Sequence, residues 1–232
     1  MTGGREVAIT PLVCENLIAV RERIAAATRA AGRPPEAVTL VAISKEQPDA
    51  AVAAALGCGQ ACFGENRAQA LVARAVAFGA ADPAPVWHFV GRLQRNKVRS
   101  LAPHVARWHS IDRIELGAEL ARHAPATPAF VQVNVAREPQ KGGCAPEATS
   151  ALVDQLRDAG IPVDGLMTVP PADADPRPHF AALRKLAEQV GVPELSMGMT
   201  GDFEAAIGEG ATYVRVGSAV FGPRPGGVGL RR

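Results

Sequence analysis

The chain has 232 residues, with 25 Lys+Arg against 23 Asp+Glu and a net charge of +2. This length fits one large domain or two small ones, and 47% hydrophobic with 21% charged residues is ordinary for a globular protein. A disordered chain, a collagen-like chain and a polycation are excluded, and near-neutrality gives no electrostatic case for nucleic acid.

Apolar residues at Val13, Leu17, Val20, Ile24 and Ala27 predict an amphipathic helix over 12–31, ended by Gly32 and the Pro34-Pro35 pair. The continuous β-branched run from Val38 to Ile43 then reads as a strand buried on both faces. Similar runs recur near 61–63, 86–90, 108–111, 129–135, 163–169, 194–197 and 212–216. Helical patterns fill the gaps, such as Leu152, Leu156 and Ala159, or Phe180, Leu183, Leu186 and Val190. Alternating βα units imply a parallel sheet with helices outside. Eight of them point to an α/β fold of the (β/α)8 barrel type with an extra N-terminal helix; the alternative is an open doubly wound sheet, disfavoured because no GxGxxG follows the first strand. One domain over 1–232 is expected, with a Gly/Pro/Arg-rich tail at 222–232 that frays.

No apolar run approaches the ~20 residues of a membrane span, and the N-terminus has no signal-peptide core, so a cytoplasmic protein is expected. Cys14, Cys58, Cys62 and Cys144 lack zinc-ligand spacing and read as plain thiols in a reducing compartment. No metal site is expected.

In a barrel the chemistry sits at the carboxyl ends of the strands. Lys45 closes the first strand, where a desolvated amine acts as a nucleophile or Schiff-base former; a lysine snorkelling out of a strand end is the competing reading. The chain favours Arg over Lys, with Lys45, Lys97, Lys141 and Lys185 its only lysines, and Arg cannot replace an amine nucleophile. The segments Ser196-Met-Gly-Met-Thr200 and Gly217-Ser218 fall at the seventh and eighth loops, where barrels often bind phosphate; simple turn chemistry also accounts for them. Arg215 precedes the last of these loops, facing either a ring nitrogen or a structural carboxylate. A lysine, a phosphate cradle and an arginine in one barrel mouth suggest pyridoxal phosphate, with Lys45 forming the internal aldimine. An arginine at the pyridine nitrogen keeps it unprotonated and the electron sink weak, which suits binding better than demanding carbanion chemistry.

At these residues the sequence resembles the pyridoxal phosphate homeostasis proteins, which share the barrel of the alanine racemase N-terminal domain. The matching segments are LVAISKEQP, FGENRAQ, WHFVGRLQRNK, HSIDR, VQVNV, GLMTV, LSMGMTGDFEAAI and VRVGSAVFG, running in order over 40–222. The resemblance implies pyridoxal 5'-phosphate on Lys45, Asn66 and His88 near the ring, and Ser196, Met199, Thr200, Gly217 and Ser218 around the phosphate. It implies Arg215 at the ring nitrogen and a buffering or delivery role without strong catalysis. Arg67 and Arg95 depart from the usual pattern and change the charge at the rim.

The alternative function is a weak amino-acid racemase. Two-base racemisation needs an acid/base group on each face of the α-carbon. Lys45 supplies one, but the only tyrosine, Tyr213, falls on the eighth strand beside Arg215 and points deep into the barrel. The expected partners are pyridoxal phosphate and apo forms of enzymes that use it, with no nucleic acid and no membrane, and a monomer is expected. Trp87 and Trp108 read as packing, Asp112 as a helix cap, and Glu65 as either a site-orienting group or an arginine partner.

Overall fold

The computed structural model describes residues 3–223, with side chains from Thr10 onward. The elements run in chain order as α1 (Gly3–Ala30), β1 (Thr39–Ile43), α2 (Asp49–Gly57), β2 (Cys62–Glu65), α3 (Ala68–Ala77), β3 (Val86–Phe89), α4 (Val98–Leu101), β4 (Val105–Ile111) and α5 (Ile114–His123). They continue as β5 (Ala129–Gln132), α6 (Thr149–Asp158), β6 (Val163–Met167), α7 (Arg177–Val190), β7 (Glu194–Ser196), α8 (Phe203–Gly208), β8 (Tyr213–Val216) and α9 (Ser218–Phe221). The strands close in sequence order, each parallel to its neighbours, and β8 pairs back onto β1 with Arg215 opposite Val41. The expected barrel is therefore present, and the open sheet is not.

The extra helix closes the outside of the barrel. Val13, Leu17, Val20 and Ile24 on one face of α1 are buried against α2, α8 and α9. Full burial of a side chain such as Leu17 contributes about 2 kcal/mol. Asn16 also donates to the Val220 carbonyl at 3.0 Å, tying α1 to α9. The helix begins at Gly3 rather than at 12. The fifth strand stops at Gln132 instead of 135, because the Asn134 amide bonds both the N–H (3.1 Å) and the carbonyl (2.8 Å) of Glu138 and turns the chain. Asp112 does not cap α5; its carboxylate accepts from Arg113 at 2.6 Å.

Alternation sorts the strand side chains. Phe63 and Trp87 pack ring on ring outside the sheet at 5.5 Å, and Trp108 packs on Phe89. Inside, Phe130, Tyr213, His88 and His109 form one aromatic layer, with His109 4.6 Å from Phe130 and 5.8 Å from Tyr213. Below them Arg107 spans the amino end of the barrel. It donates to Asp164 at 3.0 Å and to Glu194, and its guanidinium lies over the rings of Tyr213 (5.2 Å) and Phe130 (5.4 Å).

The cysteine expectation is corrected. Cys14 of α1 and Cys58, just past α2, are joined as a disulfide with their Cα atoms 5.7 Å apart, while Cys62 and Cys144 are free. A separation of 44 residues carries no spacing signal, and only the packing of α1 on α2 brings them together. The expected tail lies outside the described residues beyond Pro223.

Candidate functional site

Lys45 follows the last residues of β1 in a loop that is fastened from below. Ser44 is buried; its N–H donates to the Gly64 carbonyl at 3.1 Å and its hydroxyl to the Glu65 carboxylate at 2.7 Å. Arg74, reaching in from α3, donates to Glu65, to the Ser44 carbonyl at 2.7 Å, to the Gln47 carbonyl and to Asp49 at 3.1 Å. The guanidinium thus holds both ends of the Lys45-Glu46 dipeptide. Glu46 takes a left-handed backbone (φ 63°), a conformation that persists only when its surroundings fix it. Sequence reading left the role of Glu65 open; the structure makes it both an arginine partner and a support of the lysine loop.

A cavity of about 280 Å³ opens beside this loop. Lys45, Ile43 and Gln47 line one side, Met199, Thr200 and Gly201 another, and Gly217, Ser218 and Gly222 a third, with Arg215 beneath. Thr200 and Ser218 point hydroxyls at each other 3.3 Å apart. The β7–α8 loop holds its shape through Asp202, whose carboxylate accepts from the Met199 N–H at 2.6 Å. Gly198 is required there: its φ is +92°, and an added Cβ would lie 2.7 Å from the Ala206 methyl and 2.9 Å from the Phe203 Cα.

Arg215 is the unusual member. It is 5% exposed, yet the two groups it donates to are neutral: the Ser196 hydroxyl at 2.7 Å and the Thr168 carbonyl at 2.8 Å. Burial lowers its pKa to about 10, with Asp202 acting weakly in the opposite direction. A buried cation without a contacting carboxylate leaves donor capacity for whatever fills the cavity.

Behind it runs a buried polar chain. Arg215 can only donate, so the Ser196 oxygen accepts and its proton goes to His109 Nδ1, 2.8 Å away. His109 Nε2 then carries the hydrogen bonded to His88 Nδ1 at 2.9 Å. Burial lowers the pKa of His88 to about 4, helped by the charge of Arg107, and burial likewise holds His109 far below the ordinary imidazole range. Both rings are neutral near pH 7.

The nine residues singled out in the sequence divide. Lys45, Met199, Thr200, Arg215, Gly217 and Ser218 meet at this cavity. Ser196 does not: it is fully buried below it, spent on Arg215 and His109. His88 is also buried, reaching Ser196 only through His109, and Asn66 lines a separate cavity at the ends of β2 and β3. Sequence reading gives no role to Arg74 or Gln47 and places Thr168 at the end of the sixth strand without one; their parts depend on main-chain contacts that no motif announces.

The family model of the alanine racemase N-terminal domain matches residues 16–225. A pyridoxal phosphate homeostasis protein of Pseudomonas aeruginosa is 41% identical, over 91% of this chain and 96% of the relative, and one of Aquifex aeolicus is 40% identical, over 91% and 98%. PipY of Synechococcus elongatus, solved with pyridoxal phosphate bound, superposes with a TM-score of 0.77 at 31% identity, covering 90% of this chain and all of PipY (100%). A lysine/ornithine decarboxylase of Vibrio vulnificus, at 16% identity and a TM-score of 0.63 over 89% of this chain and 62% of its own, shares the barrel fold. The chain belongs to the alanine racemase N-terminal domain family and, within it, to the pyridoxal phosphate homeostasis proteins.

Proposed function

We propose that this protein binds pyridoxal 5'-phosphate in the cavity between Lys45 and the β7–β8 loops and serves in its intracellular homeostasis, holding and releasing the cofactor. The observation that carries the reading is Arg215, a buried guanidinium with no contacting carboxylate among the described residues, which lines the same cavity as a lysine and a pair of hydroxyls. When bound, the cofactor supplies an aldehyde that condenses reversibly with an amine and a ring that stabilises a neighbouring carbanion.

The side chains divide the work. Lys45 offers the amine, from a loop that Arg74 and Glu65 keep in place. Thr200 and Ser218 offer hydroxyl donors to a phosphate. Arg215 presents N–H groups only, so no acid stands there to protonate a ring nitrogen. Ser196, His109 and His88 support the guanidinium from behind and add no charge of their own.

Efficient racemisation is disfavoured by the same geometry. Tyr213 is absent from the cavity lining; its ring packs against Phe130 at 5.4 Å, in one layer with His88 and His109. With one candidate acid/base in the cavity, the second face of a substrate carbon goes unserved. Apo enzymes as recipients, a monomeric state and a cytoplasmic location complete the proposal; among the described residues no helix is long and apolar enough to cross a membrane.

The test is a visible spectrum of the purified protein before and after borohydride, with mass mapping. The expected result is an absorption band that the reductant removes, with phosphopyridoxyl mass on Lys45. No band after addition of pyridoxal phosphate overturns the reading.

A further inference from the structure

We propose that a second cavity, on the other flank of the Lys45 loop, is a binding site for the phosphate group of a small phosphate ester. It has a volume of about 170 Å³ and lies at the carboxyl ends of β2 and β3, on the same face of the barrel as the first. Arg67, Arg92 and Lys97 line it together with the amides of Asn66, Gln69 and Gln94, and no acidic residue does.

Three features point to an anionic guest. Three cationic side chains line one small space, and no acidic side chain lines it with them. Arg92 and Lys97 have no ion pair or side-chain hydrogen bond among the described residues, whereas their neighbour Arg95, outside the cavity, is paired with Glu119 at 3.4 Å. The cavity also takes in Ala68 and Gln69, the first residues of the 10-residue helix α3, whose positive dipole end adds to the side-chain charge. Two guanidinium forks, an ammonium and three amides suit a dianion with three free oxygens better than a single carboxylate.

The site also touches the loop that carries the lysine. Arg67 pairs with Glu46, the residue after Lys45, at 3.4 Å, and both side chains are exposed. Exposed pairs of this kind hold weakly, so a phosphate in the cavity competes for Arg67 without disturbing the Arg74 clamp beneath.

Inorganic phosphate and glycerol phosphate are the probes, titrated by calorimetry at constant ionic strength into protein saturated with pyridoxal phosphate, so that the first cavity is filled. The visible spectrum is followed throughout. We expect saturable one-site binding with the spectrum retained, weakened tenfold or more by Arg92→Gln and by Lys97→Gln and unchanged by Arg99→Gln, a basic surface substitution outside the cavity. Absence of saturable binding, equal binding by the Arg92→Gln/Lys97→Gln protein, or phosphate that merely displaces the cofactor overturns the proposal. A chain that takes up no pyridoxal phosphate fails the first reading alone. The same titration of Thr200→Val/Ser218→Ala protein, with the first cradle disabled, then decides the second site.

Discussion

Arg74 and Glu65 form a buried ion pair directly beneath the loop that carries Lys45. The pair serves the main chain more than itself. Its guanidinium takes up the carbonyls of Ser44 and Gln47, and its carboxylate takes the Ser44 hydroxyl.

Removing one partner leaves a buried charge uncompensated, which costs about 3–5 kcal/mol. Arg74→Ala is expected to destabilise by that amount in urea unfolding and to weaken pyridoxal phosphate uptake even where the fold survives. Arg74→Lys keeps a charge but cannot reach four acceptors, so it should fall between the two. An Arg74→Ala protein with unchanged stability and cofactor affinity would count against the clamp.

The hydroxyl cradle gives a smaller effect. Thr200→Val or Ser218→Ala removes one neutral donor, worth about 1 kcal/mol, or roughly a fivefold rise in the dissociation constant for pyridoxal phosphate. The loss should be much smaller for pyridoxal, which has no phosphate. Equal losses for the two ligands would place the phosphate elsewhere.

His88 predicts the pH response of stability. Its folded pKa of about 4 lies below the ordinary value of 6.5, so the unfolded chain binds more protons between those two pH values. Nothing is lost above pH 6.5. As the pH falls from 6.5 towards 4, His88 alone removes about 3 kcal/mol, and His109 adds a loss in the same direction. Urea midpoints measured from pH 7 to 4.5 should fall accordingly, and His88→Gln should flatten the slope. A parallel slope in the variant would assign the acid sensitivity to other groups.

The link between Cys14 and Cys58 closes a loop of 44 residues. On the chain-entropy account it contributes up to about 4 kcal/mol. Oxidised protein should show two reactive thiols on unfolding, Cys62 and Cys144, and Cys14→Ser/Cys58→Ser should melt several degrees lower. Four free thiols in unreduced protein would show the pair to be open.

The strands were legible because strands buried on both faces must be continuously apolar, and Lys45 was legible because it ends such a run. Depth inside the barrel was not. Ser196 and Thr200 stand close in one motif, yet one faces the interior below Arg215 and the other the cavity above it. Where β7 ends decides this, and no side chain marks that point. Asn66 and Lys45 end adjacent strands, yet they line different cavities. Cys14 with Cys58, and Arg74 with Ser44, are joined by tertiary packing alone.

Arg107, wedged among Asp164, Glu194 and the rings of Phe130 and Tyr213, stoppers the amino end of the barrel. With the rings of Phe130, Tyr213 and His109 packed above it, the interior is filled rather than hollow. Whatever enters from the carboxyl rim departs by the same doorway, so loading and unloading are one path run in opposite directions. A recipient that takes cargo straight from this protein has to sit over that rim, and while it sits there no fresh cargo can arrive.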